Sequence, residues 1–448
     1  MTEKLKVMGK GYAQPISFEI DLEPLKNIFM GVLEEQKDKD DKMMKVIKEY
    51  MGDVVESETV FLDGNKTPHY LFRLYEYIKQ NFELDMTTDY SWRRECEIPP
   101  SKYNFEVSRG VKMPLIYKGL LFISSKENPD EKYVIWMIPY DDDMGLEVEI
   151  FYSNGRELFK KRKEEYIARF NEEHPLKNEI VDNKWKYLEI KEVGWDEIIV
   201  SDEQKKIINR NIVNFIKNLS MYKQNRLPTS RGILITGPPG TGKTLCCEVI
   251  VNDLDCSTIY VSTDSVSEVG DIRKVYSLAR KISPCLVIVE DIDTLGGLDR
   301  TVRGGEHPLL GEFLNCLAGM GKNDGVITIA TTNYAEHLDS ALADRPGRFD
   351  VRLNFGLPNA ELRKHILEKY LSDLDVKIKL NGVVDRTDGL SGAYLKEIVM
   401  TAYMISTETN QKINKDILNE AIDEILALKG KINPNFNSKK TSNANLYG

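Results

Sequence analysis

Residues 237–244 read Gly-Pro-Pro-Gly-Thr-Gly-Lys-Thr and fit the pattern G-x-x-x-x-G-K-[ST]. The chemistry this spacing can do is anion binding. Gly237, Gly240 and Gly242, with Pro238, Pro239 and Thr241 between them, let successive backbone N–H groups turn inward around a phosphate. Lys243 can reach β and γ phosphates, and the Thr244 hydroxyl can ligate Mg²⁺. A second constellation is Glu290-Asp291, two carboxylates that close the apolar run Leu286–Val289. One acid can serve the Mg²⁺ shell and the next an attacking water.

Such groups need a strand, a turn and a helix in that order. Gly232–Thr236 is an apolar run suited to a buried strand, and Leu245, Val249 and Ile250 after the loop suit a helix whose positive N-terminus faces the phosphates. Further apolar runs, Thr258–Val261, Leu286–Val289, Val326–Ala330 and Val351–Asn354, alternate with helical patterns. The expected fold class is α/β, a doubly wound parallel sheet with helices on both faces over residues 196–357. From 358 to 430 the periodicity becomes helical. Leu362, Ile366, Leu367, Tyr370 and Leu371 form one stripe, Tyr394 to Ile405 a second, and Ile417 to Leu426 a third that Gly430 should end, giving a small helical lid.

Residues 1–195 read as an α+β domain. Helices are expected through Met44–Tyr50, Tyr70–Phe82 and onward from Asn154-Gly155 to Arg169. Strands are expected at Met113–Ser124, Tyr133–Pro139 and Leu146–Tyr152. Asp141-Asp142-Asp143-Met144-Gly145 reads as a solvated turn rather than a metal site, and Trp92, Trp136, Trp185 and Trp195 as packing residues. Residues 431–448, rich in Asn, Ser and Lys, read as a disordered tail.

Bulk properties narrow the partners. The chain has 448 residues, a net charge of -10 and a pI of about 5.3, which disfavours a protein that coats nucleic acid. No apolar run approaches the roughly 20 residues that span a bilayer. The six cysteines (96, 246, 247, 256, 285 and 316) lack the spacing of a zinc site and read as reduced thiols of a cytoplasmic protein, and the five histidines form no ligand cluster.

The order of motifs is more specific than any one of them. Pro284-Cys285 precedes the acidic strand and Ile292-Asp293 follows it. Ala330-Thr331-Thr332-Asn333 closes another strand. Leu342-Ala343-Asp344-Arg345-Pro346-Gly347-Arg348-Phe349-Asp350 and Gly389-Leu390-Ser391-Gly392-Ala393 come next. In this order, over roughly residues 196–430, the chain resembles the AAA family of ring ATPases. The resemblance implies ATP and Mg²⁺ as cofactors and a phosphate loop extending to Leu245, with Gly392 and Ala393 contacting nucleotide from the lid. Thr244 and Glu290 would hold the metal, and Asp291 would polarise water. Asn333 would orient that water from a strand lying between the phosphate-loop strand and the Glu290 strand. Arg345 and Arg348 match the positions that supply arginine fingers to a neighbouring subunit in a homo-oligomeric ring of six or seven. A guanidinium suits that role because it is always charged.

Three departures qualify the resemblance. The acidic pair is inverted, Glu-Asp for the usual Asp-Glu. With Arg231-Gly232-Ile233-Leu234 and Asn214–Asn218, this is similar to the subfamily of the mitochondrial Rieske-protein translocase and its prokaryotic relatives. The stretch Ser262–Gly270 lacks the aromatic of a peptide-threading loop, whereas Gly296–His307 is glycine-rich and basic through Arg300 and Arg303. Nor does the membrane-spanning segment of the mitochondrial relatives have a counterpart here. The expectation is an ATP-hydrolysing ring that remodels or chaperones a protein client recruited by the N-terminal domain. Two alternatives are a nucleotide-dependent switch or scaffold and a DNA-handling ATPase.

Overall fold

Short β-branched runs separated by helical segments have one economical solution, a parallel sheet whose two apolar faces are both covered. The computed structural model takes that solution. It describes residues 4–9, 16–21, 43–52, 55–62, 66–91, 96–140, 145–266, 268–296, 308–318, 323–333 and 348–432. By its internal contacts the chain divides into Met1–Pro175 and Leu176–Gly448.

In the first unit, β1 (Lys4–Gly9) and β2 (Ile16–Asp21) form an antiparallel pair. A helix over 43–51, α1, precedes β3 (Glu56–Leu62), α2 (Thr67–Asn81), β4 (Phe82–Ser91), β5 (Cys96–Ile98), β6 (Ser101–Ser108), β7 (Val111–Ser125), β8 (Lys132–Pro139), β9 (Leu146–Tyr152) and α3 (Arg156–Glu172). Strands 3 to 9 make a seven-stranded antiparallel sheet ordered β3-β9-β8-β7-β4-β5, with β6 on β7. Alternation along β7 feeds two cores. Leu121 and Ile123 join Leu71, Ile78 and Phe159 from α2 and α3, while Leu120 and Phe122 join Met43 and Ile47 of α1 and Trp136. The aspartate-rich turn at 141–144 and Trp92 lie outside the described residues.

The second unit begins earlier than residue 196. Ile180–Asp182 forms a strand, β10, and Trp185 is buried in the same core as Ile259 and Val287. The domain boundary expected near 195 therefore moves to 175/176. Then follow α4 (Asp202–Ile208), a π-helical stretch Asn209–Val213, α5 (Asn214–Lys217), α6 (Leu219–Gln224), β11 (Arg231–Thr236), α7 (Lys243–Asn252), β12 (Ser257–Val261), α8 (Asp271–Lys281), β13 (Cys285–Val289), α9 (Pro308–Leu317), β14 (Val326–Thr332) and β15 (Val351–Asn354). All six strands pair in parallel in the order β10-β12-β13-β14-β11-β15. Strand β14 thus lies between β11 and β13, where the resemblance put the Asn333 strand.

One face of this sheet packs Ile233, Ile235, Leu286 and Ile288 against Cys246, Cys247 and Ile250 of α7. The other packs Val287, Val289 and Ile259 against α8 and α9. The lid, α10 (Ala360–Ser372), α11 (Val383–Arg386), α12 (Gly392–Glu408) and α13 (Lys415–Ile432), has its own core of Leu367, Leu395, Ile398 and Leu418. Gly430 does not end α13, which continues to Ile432. Residues 433–448 lie outside the described residues.

Candidate active site

The phosphate loop leaves β11 at Thr236 and re-enters order at α7. Gly242, at φ 98°, caps that helix with no side chain, and no acidic residue occupies its first turn. Its first N–H groups are therefore left for an anion. Thr241 steadies the loop by donating to the Pro238 carbonyl at 2.8 Å. Two glycines are required by close approach. A Cβ on Gly237 would stand 2.1 Å from the Phe355 carbonyl oxygen, and one on Gly240 (φ 75°) would stand 2.7 Å from the Ala393 Cβ. That second approach is the joint between loop and lid, closed by the Ala393 N–H donating to the Gly240 carbonyl at 3.0 Å.

Parallel pairing brings the polar residues to one end of the sheet. Lys243 donates to the carbonyls of Gly237 (2.7 Å) and Pro238 (3.1 Å) and to Asn333 Oδ1 (2.7 Å). Asn333 Nδ2 in turn donates to Asp291 Oδ1 at 2.9 Å. A cation, an amide and a carboxylate drawn from three elements thus form one chain of bonds. Burial pushes the Lys243 ammonium below its ordinary value against the pull of Asp291, Asp293 and Glu290. Burial, reinforced by Asp293, pushes Asp291 up. Burial also raises Glu290, while a hydrogen bond from Thr244 works the other way.

The residues present fit a magnesium ion. The Thr244 hydroxyl holds down the Glu290 pKa from beside it, and among the described residues Glu290 Oε1 is buried without a hydrogen-bond partner. A hydroxyl and a carboxylate beside a phosphate-binding turn are hard oxygen donors that suit Mg²⁺ and its bound water. When bound, Mg²⁺ neutralises charge on the β and γ phosphates. Among the described residues, here or elsewhere, no group of three or more His, Cys, Asp or Glu could hold a metal ion by itself, so the phosphates and water must supply the rest of the shell.

A cleft of about 450 Å³ joins these groups to the lid. Pro239 through Leu245, Asp291 and Asn333 form one wall, and Ile366, Lys369, Tyr370, Gly392, Ala393 and Lys396 form the other. Glu197, Ile198 and Ile199 close it. The last three and the lid residues Ile366, Lys369, Tyr370 and Lys396 were not legible as site residues. Ile366 and Tyr370 read as a packing stripe, and nothing local marks Glu197 as the partner of Lys369, 3.2 Å away. Asp293 was also missed. Its carboxylate accepts from Thr332 Oγ1 at 2.7 Å and so ties the end of β14 to the acidic strand.

The arginines are placed differently. Arg348 lies beside Gly232, at the opposite end of β11 from the phosphate loop. There the Asp350 N–H donates to the Gly232 carbonyl at 2.8 Å, and Asp350 Oδ2 accepts from the Gly232 N–H at 2.9 Å. It is not brought into its own cleft and is buried. Arg345 and the glycine-rich loop after Gly296 lie outside the described residues.

Residues 233–357 match the model of the ATPase family associated with various cellular activities (AAA). The chain carries an AAA ATPase domain. An AAA domain is an ATP-hydrolysing module, so ATP and Mg²⁺ are its cofactors. The chain is 32% identical over 248 residues to the ATP-dependent zinc metalloprotease FtsH of Staphylococcus haemolyticus, covering 52% of this chain and 34% of that protein. Against FtsH of Mycoplasmopsis synoviae the figures are 34% over 229 residues, 48% and 34%. Against FtsH 2 of a Thermoanaerobacter species they are 32% over 257 residues, 55% and 49%. The chain thus spans a third to a half of the length of these relatives. They bear on the family and not on the finer resemblance to the translocase subfamily. No histidine in the 448 residues is followed by Glu, so the H-E-x-x-H pattern of zinc peptidases does not occur in this sequence.

Proposed function

We propose that this protein is an AAA ATPase that assembles into a ring of identical subunits and uses ATP hydrolysis to remodel a protein partner. The observation that carries the reading is the bonded series Lys243, Asn333, Asp291 at the mouth of the cleft. Lys243 and the N-terminus of α7 bind phosphate, Thr244 and Glu290 hold Mg²⁺, Asp291 takes a proton from the attacking water, and Asn333 orients that water. Each role follows from chemistry the residue already displays. Asp291 is a partly buried carboxylate with a raised pKa, suited to a general base. Asn333 presents one amide atom to the base and the other to the phosphate-binding lysine.

Arg348 completes the site of a neighbouring subunit. Its place at the far end of β11 from its own phosphate loop supports action in trans, which requires the buried side chain to turn outward when the neighbour docks. Ile198, Ile199, Ile366 and Tyr370 give the cleft an apolar wall suited to the base. The unit Met1–Pro175 recruits the client. No described helix is long and apolar enough to cross a membrane, and a cytoplasmic site of action belongs to this proposal.

Assembly is the part most open to test. Turnover per subunit should rise steeply with protein concentration and track ring formation in analytical ultracentrifugation with ATP and Mg²⁺. Full turnover by a species that stays monomeric would refute the shared site. Lys243→Ala should abolish tight ATP binding, and wild-type affinity in that variant would remove the phosphate role.

A further inference from the structure

Among the described residues, two buried oxygens on one face of the AAA sheet lack a hydrogen-bond partner, the Tyr260 hydroxyl and Glu290 Oε1. Strand register makes them neighbours. Tyr260 pairs with Ile288 across the parallel β12–β13 ladder. Side chains two residues apart share a face, so Tyr260 stands beside the row Leu286, Ile288, Glu290. Helix α7 covers that face, and Tyr260 packs in the core that holds Leu286, Ile288, Cys246 and Cys247. Burial first, then the nearby Cys247, Glu290 and Glu248, keep the phenol protonated and therefore a donor. Apolar packing does not account for the hydroxyl, because phenylalanine would fill the same space without sealing an unpaired polar atom.

We propose that Tyr260 is a positioning residue for the magnesium site, its hydroxyl and Glu290 Oε1 holding one water between them. The water accepts from the phenol and donates to the carboxylate, satisfying both buried atoms. Thr244 engages the same carboxylate, so Glu290 is fixed by the phosphate-loop helix and by β12. Tyr260 touches neither nucleotide nor metal in this scheme; it acts through Glu290. Loss of such an outer partner typically costs about 10–100-fold in metal affinity.

The inference rests on Mg²⁺ and nucleotide binding at the phosphate loop, and its test does not use turnover. Mn²⁺ serves as a paramagnetic probe, titrated by electron paramagnetic resonance into full-length chain saturated with ADP, alongside calorimetric ADP binding without metal. Tyr260→Phe should keep metal-free ADP affinity within about twofold and weaken Mn²⁺ by about tenfold. In a Glu290→Gln background the same change should cost less than about twofold, since both residues act through one water. Mn²⁺ affinity of Tyr260→Phe within twofold of wild type, or full additivity with Glu290→Gln, would overturn the assignment. A purely structural tyrosine predicts that outcome together with an equal or higher melting temperature. Failure of the wild-type chain to bind ADP would instead sink the phosphate-loop reading, so the two failures are distinguishable.

Discussion

At the residue scale, the inverted acidic pair has a local reason. Asp291 follows the end of β13 and sits at φ 49°, in the left-handed region. Among L residues, Asp and Asn enter that region most readily, because their short polar side chains bond locally. In Asp291 the bonds run instead to the end of β14, its carboxylate accepting from Asn333 Nδ2 and its N–H donating to Thr331 Oγ1 at 3.0 Å. Burial and Asp293 raise its pKa above the unfolded value near 3.9. For a carboxyl raised by folding, the stabilising contribution is full below the unfolded pKa and is lost as pH rises through the folded one. At neutral pH the nucleotide-free domain therefore carries the cost of an ionised, partly desolvated acid. Asp291→Asn should melt higher than wild type at pH 7 without nucleotide, and the difference should close near pH 4. The same variant should lose roughly 10²–10⁴-fold in turnover, the usual contribution of a general base. A variant that melts lower at pH 7 would contradict the cost assigned to Asp291. The loop and both acids were legible because each is a contiguous pattern. Asp293 was not, because its role exists only once β14 lies beside β13.

Among the elements, five of the sheet's strands were legible as apolar runs bounded by turns, and their ends shift by no more than two residues. The sixth was not. Ile180–Asp182 is three residues long, and it becomes a strand only through its register with Thr258 to Tyr260. The cleft's far wall was hidden for a related reason. Ile366 and Tyr370 satisfy a helical stripe and line the cleft at once, and periodicity cannot separate the two uses. Where loop meets lid, the elements give a sharper prediction. Gly240 is left-handed and sits against Ala393 and Ser391. Gly240→Ala should therefore cost more than about 1 kcal/mol in stability from backbone strain alone. It should also push the lid off the loop, weakening ATP binding at least severalfold. Calorimetric ATP affinity and a melt of the same sample measure both. Unchanged affinity despite a lowered melting temperature would show that the Ala393 joint does not hold the cleft in its binding form.

The whole molecule raises a question that its single chain poses geometrically. Asp291 and Lys243 stand at the end of β11 where the phosphate loop begins, while Arg348 stands at the other end, beside Gly232. A residue there serves catalysis only by entering a second subunit. Sequence order alone could not show this, because Arg348 follows Asn333 closely in the chain and only the parallel return into β15 carries it to the far edge. Arg348→Ala should keep nucleotide affinity, since it spares every group in its own cleft, yet lose turnover. Arginine fingers contribute roughly 10³–10⁵ in rate in other phosphoryl-transfer systems. Mixing makes the argument decisive. Asp291→Asn subunits retain the arginine and lack the base, whereas Arg348→Ala subunits retain the base and lack the arginine. Where an Asp291→Asn subunit lends its arginine to an Arg348→Ala neighbour, a complete site forms at that interface. Random co-assembly at equal ratio makes about a quarter of the interfaces complete, so turnover should recover to that order while either pure variant stays inactive. Activity of the mixture no higher than the mean of the two pure variants, with co-assembly verified by a tag on one of them, would place Arg348 outside the reaction and return it to the packing around Gly232.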